Sequence, residues 1–459
     1  MNGSRFAPLG RALAVMLVGS VCAGAAETRT PPADGHFLSE WIVPGSHTAP
    51  AQPAEQTPQL AAPHTPQALS PALTLDDLVQ IASAHNPTLV QASMAVRAAR
   101  GRYVQAGLYP NPTVAYVGDE IGNDGTEGLN GAAFGQEIVT NGKLRFARAA
   151  ASCELQQAIW ALEAQQYRVL NDVRAGYYEV LLAQRLIDVN RQLVHIGEES
   201  ARVTEQLLLA KAVAQPEVLQ ARIEADRASL SLADAEHGHR GAWQRLTAML
   251  GQPHMQERPL AGHVDADLPR LDRQQCLATI LARSPQVARA QAGVTRAHNE
   301  LAYQIAARHP NFEVQTAVKY DTGSDYTVAD VGLAVPLPLF DRNQGRVLEA
   351  QAHRRAASNE VRRIELELCN RFATVFQEYA VARQHVETHA NSILPNAKRS
   401  LELTTAAYRE GEYDYLALLT AQRTYFSASL EYLNSLDRLW ARSIEIEGLL
   451  LTGGLEWDE

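Results

Sequence analysis

The sequence predicts an α+β chain, mostly α-helical with four β-strands, built from one unit that occurs twice. Three observations carry this. Landmarks recur at a nearly constant offset: Leu78 to Pro87 (LVQIASAHNP) is answered 198 positions later by Cys276 to Pro285 (CLATILARSP). Tyr109-Pro110-Asn111-Pro112 is answered in the same way by His309-Pro310-Asn311-Phe312. Prolines nearly vanish over long stretches, Pro216 being the only one between Thr113 and Gln252 and Pro395 the only one between Leu339 and Glu459. Short stretches after each proline-containing landmark alternate with period two instead of the helical 3.6.

Composition narrows the class. With 459 residues, 46% hydrophobic and 20% charged, the chain has ample apolar side chain to bury and is not wholly disordered. Its net charge of -10 argues against a general nucleic-acid binder, which needs clustered Lys and Arg. Beyond the first residues no apolar run reaches the roughly 18 needed for a helical span. A soluble globule and a β-barrel both stay open.

Residues 1–26 read as a secretory leader: Arg5 and Arg11 precede the apolar Ala12 to Val21 and the small Ala23-Gly24-Ala25-Ala26. Gly19-Ser20-Val21 is a poor lipidation signal for Cys22, so ordinary cleavage after Ala25 or Ala26 is expected. Cys153, Cys276 and Cys369 are odd in number and widely spaced in helix-like sequence, which argues against a disulfide framework. Residues 27–72 form a Pro-rich extended tether, with Phe37, Leu38, Trp41 and Ile42 as a docking patch.

The first repeat is expected over 73–265 and the second over 266–452, each in the order helix, helix, two strands, long helix, long helix. Periods this long are not those of a solenoid. The short helices end at Asn86-Pro87 and Ser284-Pro285, because the residue before proline leaves the α region. From Lys143 to Lys211 good helix formers dominate, with Leu155, Leu162, Val169, Val173, Val180, Ile187 and Val194 spaced mostly by sevens. At 1.5 Å per residue that helix would be roughly 100 Å long. Its partner starts near Pro216, giving a hairpin over 143–250. The second hairpin covers 345–451. Pro395 and its counterpart Gly197 both weaken a helix, so each long helix is expected to bend or restart there.

The strands are expected at 113–138 and 312–335. Phe312, Val314, Thr316, Val318 and Tyr320 alternate with polar neighbours; after the turn at Asp321 to Asp325, Thr327, Ala329, Val331, Leu333 and Val335 share one face. Nine to ten residues suffice for a tilted strand to cross a bilayer. Four strands cannot close a barrel, and open edges are not tolerated in lipid. Either copies of the chain combine, for which a symmetric oligomer is the direct solution, or the sheet is soluble.

Leader, duplication, two strand pairs and two long helical hairpins together resemble the TolC family of outer-membrane efflux channels over residues 73 to 452. The runs Gln136-Glu137-Ile138-Val139-Thr140-Asn141-Gly142-Lys143-Leu144-Arg145 and Val335-Pro336-Leu337-Pro338-Leu339-Phe340-Asp341-Arg342-Asn343-Gln344-Gly345 are most similar to its CzcC-type branch, exporters of cobalt, zinc and cadmium. The resemblance implies a homotrimer with a 12-stranded outer-membrane β-barrel, four strands per chain, continued by a periplasmic α-helical barrel. It also implies a tripartite pump: a periplasmic membrane-fusion adaptor, a proton-driven inner-membrane transporter of the RND type, and this channel, set in outer-membrane lipid and performing no chemistry. No nucleic acid and no cofactor is expected.

By the same resemblance, the turns at Lys211 to Pro216 and Glu410 to Tyr415 form the periplasmic tip. Some relatives carry constricting aspartates where this chain has Ala417 and Thr420. Glu217, Glu412 and Asp414 are the candidate tip or constriction residues, although acids near a helix N-terminus are also simply favoured there. His385 and His389, four apart, have a spacing that can share a metal, and His237 and His239 do not; neither pair has a supporting ligand motif, so a structural or solvated role leads. Tyr177-Tyr178 and Tyr425-Phe426 read as packing aromatics. No phosphate loop, nucleophile elbow or dinucleotide fingerprint occurs. The competing functions are a channel for drugs, organic compounds or secreted polypeptides, a periplasmic adaptor, which would carry one hairpin instead of two, and an enzyme, which would need a polar constellation in a loop.

Overall fold

The computed structural model describes residues 72–122, 125, 127–265 and 268–456. The leader, Cys22, the tether and its docking patch lie outside the described residues. The elements are α1 (Leu75–His85), α2 (Pro87–Gln105), β1 (Thr113–Asp119), β2 (Leu129–Ile138), α3 (Lys143–Leu209), α4 (Gln215–Met249), α5 (Arg273–Arg283), α6 (Pro285–Ala306), β3 (Phe312–Asp321), β4 (Tyr326–Ala334), α7 (Gln344–Thr388), α8 (Leu394–Arg409) and α9 (Tyr415–Glu447).

Local chemistry sets the boundaries. Thr74 and Asp77 cap α1 reciprocally, as a capping box. Asn86 ends α1 and caps α2 by accepting from Thr88 N–H, while Pro87 takes the first turn, where its missing donor costs nothing. The strands fall where alternation places them, β1 stopping at Asp119 because Glu120 adopts a positive φ of 58°.

α3 runs unbroken for 67 residues, roughly 100 Å. Val169, Val173 and Val180 of its seven-spaced stripe are buried. They join Leu246 of α4, Phe372 and Tyr379 of α7 and Leu436 and Leu439 of α9 in the main apolar cluster, which α1 and α5 close with Leu78 and Ile280. Gln165 and Asn171 on α3 pin the C-terminal segment to this core, donating to the carbonyls of Gly454 (2.8 Å) and Leu451 (2.7 Å). Tyr178 stacks on Trp440 with ring centroids 3.8 Å apart, a packing role as expected.

Two expectations are corrected. α3 does not restart at Gly197, its helix running unbroken from Lys143 to Leu209; a Cβ at Gly197 would lie 3.1 Å from Ala225 Cα, so the glycine serves close packing of α4. Pro395 does interrupt its helix, through a π-helical turn at His389–Ile393 before α8, because proline cannot donate the next helical hydrogen bond. The last helix also stops at Glu447 and does not reach 451. Leu449 and Leu450 take positive φ so that Leu449, Leu450 and Leu451 can all enter the core.

Candidate functional site

Two regions carry the chain's polar organisation. The first is one antiparallel sheet in the order β1-β2-β3-β4, with β1 and β4 as open edges. The two repeats meet where Leu129↔Asp321 through Ile138↔Phe312 pair. Directly paired residues share a face, so the register assigns every side chain. Asp119, Glu137, Glu313, Lys319, Asp321 and Asp330, all the charged residues of the four strands, fall on one face. The other face carries Val114, Tyr116, Phe134, Ile138, Phe312, Val314, Val318, Tyr320, Val331 and Leu333, of which Val331 is 80% exposed. A sheet bare of charge on one face and charged on the other is one made to stand between lipid and water.

On the charged face Lys319 crosses Gly131 of β2 and reaches Asp119 on β1 and Asp330 on β4, both at 2.5 Å. Only glycine fits at 131, where a Cβ would sit 2.6 Å from Lys319 Cα. Toward the helices Glu137 and Glu313 stand directly opposite one another. Glu137 accepts from Asn311 Nδ2 at 2.7 Å, and the Asn311 Oδ1 accepts from the buried Lys143 Nζ at 2.5 Å. The lysine cluster is not foreseen from the sequence, where its one signal is that Lys319 is the lone basic residue in the alternating segments.

The second region is the pair of helical turns. Both are built alike: Ala212 N–H returns to Leu207 O and Glu412 N–H to Ala407 O, with positive φ at Lys211 and Gly411. Tyr408 and Tyr415, with Leu401, Leu418 and Ala221, make a separate apolar cluster here. Tyr408 and Thr204 hydroxyls meet at 3.0 Å, and Arg423 bridges α9 to Glu224 of α4 at 2.6 Å. Burial raises the Tyr408 phenol, the Glu217 carboxylate adds to this, and the Thr204 hydrogen bond opposes it. Burial, with Glu224 beside it, pushes Tyr415 up to about 12, and its hydroxyl has no hydrogen-bond partner among the described residues.

The structure separates the three acidic candidates by what they do locally. Asp414 is the N-cap of α9, its Oδ1 accepting from Ala417 N–H at 2.9 Å. Glu217 is half-buried in the first turn of α4, and Glu412 is exposed in the turn. Ala417 and Thr420, where acids were sought, carry none; Thr420 bonds its own helix at Leu416 O. His389 is buried, its ring nitrogens facing His385 O at 2.8 Å and Glu431 at 3.3 Å, which makes it a packed histidine. Among the described residues no group of three His, Cys, Asp or Glu could hold a metal, and no helix is long and apolar enough to cross a membrane.

An open sheet with one apolar and one charged face, joined to long helices of which α3 reaches roughly 100 Å, defines a strand-donating subunit of a membrane channel. The chain belongs to the outer membrane efflux protein family, which it matches over residues 78–252 and 276–450, once per repeat. It is 27% identical over 84% of its length, and 92% of the relative's, to the cobalt-zinc-cadmium resistance protein CzcC of Cupriavidus metallidurans. To Protein CyaE of Bordetella pertussis it is 26% identical, covering 88% of this chain and 89% of that one. Its fold is that of the outer-membrane channel OprN (TM-score 0.70, 20% identity, 88% and 100% covered). It is likewise that of VceC from Vibrio cholerae (TM-score 0.68, 17% identity, 83% and 96% covered).

Proposed function

We propose that three copies of this chain close their open sheets into a 12-stranded barrel in the outer membrane, and that the helices continue it as a periplasmic tube. The observation that carries this is the confinement of every charged strand residue to one face, which becomes the lumen when β4 of one copy pairs with β1 of the next. The channel is a passive conduit. A membrane-fusion adaptor meets the helical turns and an RND-type inner-membrane transporter drives the cargo. Residues 1–26 act as the export leader, 27–72 as a tether, and 73–265 and 266–452 as the two repeats. Glu217, Glu412 and Asp414 lie at the periplasmic tip, where three copies would make anionic rings.

The cargo is divalent heavy-metal ions. Support comes from the similarity to a cobalt-zinc-cadmium resistance protein over most of both chains and from a strand face with five acids against one lysine. Deleting the gene should lower tolerance to cobalt, zinc or cadmium. Unchanged metal tolerance with new sensitivity to dyes or detergents would replace metals by drugs or organic compounds.

A further inference from the structure

The handover from sheet to long helix uses different lengths of chain in the two repeats. Between β2 and α3 it takes only residues 139–142, tied down by Thr140, whose hydroxyl donates to Pro310 O at 2.7 Å. Between β4 and α7 it takes residues 335–343. Both handovers enter the helix through a left-handed residue, Gly142 or Asn343, so the extra length is not needed to start α7. What it adds is apolar and bare: Leu337 is 74% exposed, Leu339 64% and Phe340 91%.

This loop is built, not frayed. Pro336 and Pro338 have no N–H, and the chain turns at Pro338, where Leu339 N–H donates to Leu337 O at 2.8 Å. Arg342 Nη2 reaches Leu339 O at 3.4 Å and Gln344 Nε2 reaches Phe340 O at 3.3 Å. The carbonyls of Leu337, Leu339 and Phe340 are thus answered from within the loop while their apolar side chains stay exposed, an arrangement suited to a water-poor surrounding. The same two prolines remove donors that strand pairing with another copy would use.

Height points to the surrounding. The nine residues of β4 extend about 30 Å, or about 23 Å along the membrane normal at the usual barrel tilt, against an apolar band of about 25 Å. The uncharged stripe Thr327, Ala329, Val331, Leu333 therefore ends at the lipid boundary, and the loop lies at the level of glycerol and headgroups. Exposed Arg342 and Arg346 follow it, suited to lipid phosphate.

We propose that residues 335–340 are a membrane-anchoring loop that seats Leu337, Leu339 and Phe340 in the periplasmic leaflet of the outer membrane. The proposal rests on the barrel reading above. It is tested with p-benzoylphenylalanine in place of Phe340, or in place of Val331 on the uncharged sheet face as reference, in the full chain irradiated in native outer membranes. Phospholipid adducts at both positions, in comparable yield, are the expected result. A lipid adduct at 331 with a chain-to-chain crosslink, a crosslink to another protein, or no adduct at 340 overturns the anchor and leaves the barrel standing. No lipid adduct at 331 removes the barrel reading and the anchor with it.

Discussion

Lys319 on β3 reaches across an entire strand to Asp119 on β1, its ammonium 2.5 Å from the carboxylate, while holding Asp330 of β4 at the same distance. One cation thereby ties three of the four strands and offsets one of the two acids it touches. Both aspartates remain about half exposed, so the charge they carry still reaches the water on that face.

Replacing that cation should change what the pore prefers. In planar bilayers the Lys319→Gln channel is expected to show a reversal potential shifted toward cations relative to the unaltered protein, because three copies lose three positive charges from the lumen. An unchanged or anion-ward potential contradicts the placement of this face in the lumen.

Asp414 is separable as cap or as gate. Asp414→Ala should destabilise the start of α9 by about 1 kcal/mol, whereas Asp414→Asn keeps the acceptor for Ala417 N–H and should cost only a few tenths. If Asp414 also narrows the pore, the Asn variant alters conductance while leaving unfolding unchanged. If it is only a cap, the Asn variant matches the parent in both.

The buried Tyr415 hydroxyl has no partner among the described residues, so Tyr415→Phe should leave stability unchanged or raise it by about 1 kcal/mol. Its phenol titrates near 12 in the fold against an ordinary 10.0, so the fold favours the protonated form. That contribution is present in full below pH 10 and is lost as pH rises toward 12. Thermal unfolding midpoints at pH 8 and pH 11 should therefore diverge more for the parent than for Tyr415→Phe.

Gly197→Val places branched carbons against the Ala225 backbone and should cost about 1–3 kcal/mol by prying α4 from α3. Protease cleavage at the Lys211 turn is the readout, and it should rise several-fold at about 1 kcal/mol or more. Cleavage equal to the parent would mean that this helix pair does not need the close approach.

How much of this was legible in the sequence follows from what each element packs against. The strands were readable to within two residues at their ends, because one face is apolar and the other charged, so Val314, Thr316 and Val318 alternate visibly with Glu313, Gln315 and Lys319. The long helices were readable from missing prolines and from the seven-spaced stripe, whose centre at Val169, Val173 and Val180 is the core. The restart expected at Gly197 does not occur: a glycine that breaks a helix and one that admits a neighbouring helix look the same until Ala225 is seen beside it. The three-residue bridge at Lys319 depends on strand order across the repeats, and Tyr408 meets Thr204 across 204 positions, pairings that local periodicity does not encode. The acids at the turns were located, but a helical tube is wet on both sides, so polarity alone did not distinguish the cap at Asp414 from a pore-facing carboxylate.

The central claim is that these four strands are a third of an outer-membrane barrel. Cell fractionation followed by comparison of unheated and heated membrane samples on a denaturing gel tests it most directly. The account predicts an outer-membrane band at three chains' mass that collapses to one chain on heating. A monomer recovered from the soluble periplasm would contradict it.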